Sequence, residues 1–267
     1  MYGRDYEVAN IHTSGAASKL TFLNYAFGNV YAKNGGYECD MITKLEPGAT
    51  NPNAPDAGTG GDAEADYIRT PKRTVDGAVI PWDAPLSGNF LQLKKLKAQY
   101  PNLKVFISLG GWSWSKFFSA AAASSARRTQ MVSSCINIYL KGNLPVQGGR
   151  GGTGAAAGVF DGIDIDWEYP GGGGQPYNTV STSDKQNFTL LMQEFRTQLN
   201  ALGSQNGKYY YLTAAVGAGK DKIDNTEAAT YAQHMDWINV MTYDFHGAWA
   251  TTGPTNFHSH LYADPAD

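Results

Sequence analysis

Four acidic side chains fall within eight residues of this sequence: Asp161, Asp164, Asp166 and Glu168, in the stretch FDGIDIDWEYP at 160–170. The last three are separated by Ile165 and Trp167, with Ile163 just before them. Strict alternation is the period of a β-strand. Asp164, Asp166 and Glu168 therefore share one face, as a row roughly 13 Å long, and the apolar three share the other. Neighbouring carboxylates cannot all ionise freely, so one proton is held and one pKa raised. Asp161 has the opposite parity and sits at the strand's start, where capping or anchoring is expected of it. Tyr169, Pro170 and Gly171–Gly174 then break the strand into a loop. Glu168 is thus left at the carboxyl end, the end that carries chemistry in parallel α/β folds. A Glu of raised pKa in that place can act as a general acid. The competing reading is a solvated acidic face on an edge strand.

These residues also resemble the DxxDxDxE signature of glycoside hydrolase family 18, the chitinases and their relatives, with all four acids matched. SLGGW at 108–112, NYAF at 24–27 and MTYDFHGAW at 241–249 add to the likeness, in the family's order. The resemblance implies a (β/α)8 barrel. It also implies hydrolysis of β-1,4 bonds between N-acetylglucosamine units, with the substrate's own acetamido oxygen as nucleophile and retention at the anomeric carbon. In that scheme Glu168 is the acid/base, Asp166 orients the acetamido group, Asp164 shares a proton with Asp166, and Tyr243 holds the acetamido oxygen. Asp244, Met241, Phe27 and Ser108 match substrate-site positions, Trp112 and Trp249 match sugar-stacking platforms, and Gly110 and Gly111 belong to the matched motif. Trp82 and Trp114 are read either as further platforms or as pins for loops. The implied partners are chitin and chito-oligosaccharides, with no cofactor and no metal. Two alternatives on the same scaffold are an endo-β-N-acetylglucosaminidase and a non-catalytic chitin-binding lectin. The lectin typically loses the acid/base Glu, which this chain keeps. A third, a hydrolase holding Mg²⁺ or Ca²⁺ on Asp164 and Asp166, would be sensitive to EDTA.

The 267 residues suit one large domain. A net charge of −3 gives no basic footprint, so nucleic acid is not an expected partner. No apolar run approaches the ~20 residues of a membrane span. MYGRDYEV at the start is too polar for a signal peptide; the parent enzyme is nevertheless expected outside the cell, from the resemblance. With 16 Tyr and 6 Trp, aromatics are plentiful enough to supply stacking surfaces. Cys39 and Cys135 lack metal-ligand spacing; a disulfide and two buried thiols both remain open. His258 and His260, with Asp264, are read as solvated rather than as a metal site. The Gly clusters at 148–154 and 171–174 lack the context of a phosphate or dinucleotide loop.

Strands are predicted at 19–30, 104–111, 209–216 and 237–243 besides the acidic one, and helices at 89–100, 124–141 and 226–235. Another helix opens at a capping box of Ser183 and Gln186, with a stripe of Phe188, Leu191, Met192, Phe195, Leu199 and Leu202. Residues 1–18 hold at most a fragment of helix. The polar stretch 46–88 reads as a long loop insertion within a single catalytic-domain fragment, 1–267. Strands alternating with helices imply βαβ units and a parallel sheet. Set against the family, the chain is expected to hold barrel strands 2–6 and to lack strands 1, 7 and 8. The strands at 19–30 and 237–243 would then have open edges through which copies could associate.

Overall fold

The computed structural model describes residues 4–262. Its centre is a six-stranded sheet made of β1 (Phe22–Lys33), β2 (Gly36–Asp40), β3 (Lys104–Gly110), β4 (Gly162–Asp166), β5 (Tyr211–Gly217) and β6 (Trp237–Met241). The spatial order is β6-β5-β4-β3-β1-β2. Every neighbouring pair is parallel except β1 and β2. The longest helices are α1 (Val8–Thr13), α2 (Gly88–Gln99), α3 (Ser125–Cys135) and α4 (Asp184–Asn206). The five parallel strands and the helices between them are the βαβ series expected for barrel strands 2–6. Among the described residues the sheet is open, not a closed barrel.

Alternation explains how each strand serves two environments. Ile107, Leu109, Ile163, Ile165, Leu212 and Ala214 face outward into one core with Phe90, Leu93 and Leu96 of α2, Met131 and Val132 of α3, and Phe188, Leu191 and Phe195 of α4. The other face is layered by register. Phe106, Gly162 and Tyr211 are neighbours across β3, β4 and β5, as are Ser108, Asp164 and Thr213, while Gly110 pairs with Asp166. In the lowest layer the rings of Phe22, Phe106, Tyr211 and Trp237 approach with centroids 4.8 to 5.9 Å apart, within the range for favourable ring pairs. An aromatic floor therefore lies beneath a polar layer.

The strand register is pinned at the amino ends by one device used twice. Asp161 donates its backbone N–H to Val105 O at 2.7 Å and accepts Val105 N–H on its carboxylate at 2.9 Å. Lys97 of α2 reaches the same carboxylate at 2.8 Å. Asp236 repeats this before β6, donating to Leu212 O at 2.9 Å and accepting both Leu212 N–H and Arg196 of α4 at 2.7 Å. A slip of one residue would turn every side chain to the other face, and these clamps oppose it. Asp161 anchors, as its parity suggests.

Several expectations need correction. β1 starts at Phe22 and runs on to Lys33, and its second half pairs with β2 over Asn29–Lys33. That part of its edge is covered; Phe22–Gly28 has β3 as its partner, and β6 pairs with β5 alone. The stretch 46–88 carries local structure: a turn of helix at Pro47–Ala49, the bridge between Thr43–Lys44 and Gly61–Asp62, and a helical turn at Glu64–Ile68. Just before β4, Arg150–Gly152 pairs with Leu144–Gln147 in a short hairpin. Ser183 makes no side-chain cap, because its backbone is already helical. Asp184, the first residue of α4, instead ties down the loop before it, accepting Ser181 N–H at 2.9 Å and Gly171 N–H at 3.3 Å.

The cysteines are joined. Cys39 of β2 and Cys135 of α3 form a disulfide across a separation of 96 residues, fastening the hairpin to the outer helix layer. Closing a loop of that size in the unfolded chain is worth about 4–5 kcal/mol on chain entropy, with a usual range of about 2–5. Replacing both cysteines by alanine should therefore lower the denaturation midpoint by an amount equivalent to a few kcal/mol. The check is guanidinium unfolding of both forms under oxidising conditions. Equal midpoints would show that the link contributes nothing.

Candidate active site

β4 lifts the acids one layer at a time. Asp164 is 2% exposed, which removes the solvated-edge reading. Its carboxylate accepts Ser108 Oγ at 2.7 Å, Thr213 Oγ1 at 2.5 Å and Asn239 Nδ2 at 3.3 Å. Burial raises its pKa, and the three hydrogen bonds oppose the rise. Ser108 thus stands beside the acids, bonded to Asp164. Thr213 and Asn239 were missed, since a Thr in a strand reads as an ordinary β-former. An Asn amid Trp237, Ile238, Val240 and Met241 was the available signal.

Asp166 sits one layer higher and differs sharply. It is also buried, yet its Oδ1 has no hydrogen-bond partner among the described residues. Burial first, then the charges of Glu168 and Asp164, push its pKa up to about 8. Glu168 follows at the strand tip, 9% exposed. Its backbone N–H donates to Ser115 Oγ at 2.8 Å, and its C=O accepts Asn178 Nδ2 at 2.9 Å. Both contacts fix the main chain and leave the carboxyl available. Burial raises the pKa of Glu168, the Tyr169 hydroxyl counters this, and Asp244 adds to it.

Gly110 explains the close packing beneath. Its φ of 108° suits glycine, and a Cβ there would stand 2.3 Å from the Asp166 carbonyl oxygen. Gly111 similarly leaves room for the Phe27 ring, which a Cβ would meet at 2.7 Å. Phe27, Gly110 and Trp112 line one cavity of about 580 Å³ with Glu46 and Trp114. Trp112 is 48% exposed there. Trp114 instead donates its indole N–H to Glu46 at 2.8 Å, and Glu46 also takes the N–H groups of Gly48, Gly58 and Gly60. Trp114 therefore pins the insertion, a role the sequence left open.

The remaining matched residues come from the end of β6 and the loop after it. Met241 closes the strand opposite Gly217. Tyr243 lies two residues beyond the strand's end. It is half-exposed; partial burial, then the charges of Asp166, Glu168, Asp244 and Asp164, raise its pKa, so its hydroxyl lies in the field of the acid row. Asp244 has φ 60° and stands 3.3 Å from His258 Nε2. Trp249 is exposed beside the His258 ring, and Trp82 is exposed within the insertion. Asp264 lies outside the described residues. Among those described, no group of three or more His, Cys, Asp or Glu could hold a metal ion, and no helix is long and apolar enough to cross a membrane. The arrangement offers a buried carboxyl held by three hydrogen bonds, a second one above it without a partner on Oδ1, and a Glu at the mouth.

Comparison with known proteins gives the same direction. The chain is 41% identical to Chitinase C of Streptomyces lividans over 268 residues, covering 98% of this chain and 36% of that protein. It is 39% identical to Chitinase A1 of Niallia circulans, covering 99% of this chain and 35% of the relative. The chain thus spans little more than a third of the length of these relatives. The catalytic domain of psychrophilic chitinase B from Arthrobacter TAD20 superposes with a TM-score of 0.91 at 47% identity, covering all of this chain and 61% of that one. The profile described as Glycosyl hydrolases family 18 matches residues 1–267. With a match running from the first residue to the last, this chain belongs to glycosyl hydrolase family 18.

Proposed function

We propose that this domain hydrolyses the β-1,4 bonds of chitin with retention, using the substrate's acetamido oxygen as nucleophile. The observation that carries the reading is the unpartnered, buried Oδ1 of Asp166 between a fully bonded Asp164 and Glu168. Such an atom suits an N–H donor brought by the ligand, and the acetamido group supplies one. Glu168 then protonates the glycosidic oxygen and later takes a proton from water, so one acid/base carboxyl suffices. Tyr243 holds the acetamido oxygen, Asp244 and Met241 bind sugar beside it, and Phe27, Trp112 and Trp249 offer flat apolar faces. The relatives named chitinase support the substrate class. The Cys39–Cys135 disulfide supports an oxidising compartment outside the cell.

The test uses the whole protein and chito-oligosaccharides. The acetamido oxygen inverts the anomeric centre once and water inverts it again, so the first product seen by proton NMR should be the β-anomer. Oligomers with glucosamine at the central sugar should resist cleavage. Early α-anomer, or rapid cleavage of the deacetylated oligomer, would defeat the mechanism.

A further inference from the structure

We infer that Thr213 and Asn239 are positioning residues which, by donating to Asp164 Oδ1, hold that carboxyl as the ionised member of the Asp164–Asp166 pair and keep the exchangeable proton on Asp166. The inference deepens the proposed function and rests on it for its catalytic meaning. Three donors from three different strands converge on Asp164: Ser108 from β3, Thr213 from β5 and Asn239 from β6. An ionised carboxylate only accepts, whereas a protonated one must also find an acceptor for its own O–H. Asn239 Nδ2 can only donate. The Thr213 contact, at 2.5 Å, has the length of a charge-assisted O–H···O⁻ bond.

Asp166 has no such cage, and its Oδ1 lacks a partner among the described residues. A single proton shared by the two carboxyls therefore favours the member without donors. The groups facing the pair are few. Along β4 and its tip stand Asp166 and Glu168, and beyond β6 stand Tyr243 and Asp244. β3 and β5 present only the neutral Ser108 and Thr213. No cation is among the groups that shift either carboxyl. Hydrogen bonding, rather than a neighbouring positive charge, must then decide where the proton sits. A neutral Asp166 also spares Glu168 a charged neighbour while it gives up its own proton.

The test is a carboxyl-carbon NMR titration of the substrate-free protein labelled at aspartate, paired with the pH profile of kcat/KM on a chito-oligosaccharide. Thr213→Val keeps the shape and removes the donor. Losing one hydrogen bond to a charged group should raise the lower apparent pKa of the pair by about one to two units. The acid limb of kcat/KM should move with it. Thr213→Ser should restore the titration, and Asn239→Leu, acting from another strand, should move it in the same direction by a smaller amount. An unchanged titration in both Thr213→Val and Asn239→Leu overturns the inference, and so does a shift in Thr213→Ser as large as that in Thr213→Val. If the titration moves as stated while the wild-type protein leaves chito-oligosaccharides intact, the proton placement stands and the chitin reading falls.

Discussion

Replacing Glu168 by glutamine is expected to abolish hydrolysis of chito-oligosaccharides while leaving their binding nearly unchanged. The swap preserves size and polarity. It also preserves the local main chain, because Ser115 and Asn178 hold the backbone N–H and C=O of residue 168 and not its carboxyl. What disappears is the proton donor, and a positioned general acid or base contributes about 10²–10⁴-fold. Here the same group is proposed to serve both halves of the reaction, so the loss should lie at the upper end of that range or beyond it. Burial raises the pKa of Glu168, against the Tyr169 hydroxyl and with the Asp244 charge, a direction that favours the protonated form a general acid needs. The measurement is turnover of a fluorogenic chitobioside in the whole protein, with oligosaccharide affinity by calorimetry. A variant that keeps most of its kcat would remove Glu168 from the acid/base role.

Folding stability should rise, not fall, as the pH is lowered from about 8 toward about 4.5. Two carboxyls are pushed up to about 8, Asp166 by burial and its acidic neighbours, and Asp66 by burial despite the Tyr25 hydroxyl bonded to it at 2.5 Å. For a group whose folded pKa lies above its unfolded one, the folded state binds more protons in the interval between them. Stability then falls as pH climbs through that interval and levels off above the folded pKa. From the ordinary 3.8 to about 8 is about four units for each group. At about 1.4 kcal/mol per unit, this caps each contribution at about 5–6 kcal/mol. The opposite sign applies to exposed Asp5, held down at about 2 by Arg73 and Lys72, whose contribution is lost in strong acid. A maximum near pH 4–5 follows. Guanidinium midpoints measured from pH 4 to 9 check it, and Asp66→Asn together with Asp166→Asn should flatten the slope. A midpoint that climbs steadily from pH 4 to 8 would contradict both assignments.

The acidic strand was legible because alternation leaves little choice of face: Ile163, Ile165 and Trp167 did enter the core, and Asp164 and Asp166 did share the other side of the strand. The helix stripe of Phe188, Leu191, Met192, Phe195 and Leu199 was equally plain and equally buried. What escaped depended on contacts distant in sequence, or on turn chemistry passed over. The β1–β2 hairpin was signalled by Asn34–Gly35, whose φ values of 53° and 74° suit a tight hairpin turn. The disulfide could not be read, since a sequence separation of 96 says nothing of how a hairpin meets a helix. Thr213 and Asn239 became visible only when register set Thr213 beside Asp164 and brought Asn239 in from β6. Glu46 is the counterpart in the insertion: one acid in a polar stretch, conspicuous only once four N–H groups converge on it.

The paired clamps at Asp161 and Asp236 bear on how such a domain can change over generations. They lock neighbouring strands from beneath, through Val105 and Leu212 with Lys97 and Arg196, at the end opposite Glu168. The register of Asp164 and Asp166 is thereby set from below, while Glu168 alone takes its main-chain support from Ser115 and Asn178 above. Loop positions that make no bond to the acids, unlike Asn178 on the Glu168 carbonyl, can lengthen, shorten or trade residues and explore new ligands while the inherited proton chemistry travels with them intact. Tolerance to variation is thus distributed by height along the strands: permissive above the acids, exacting below them.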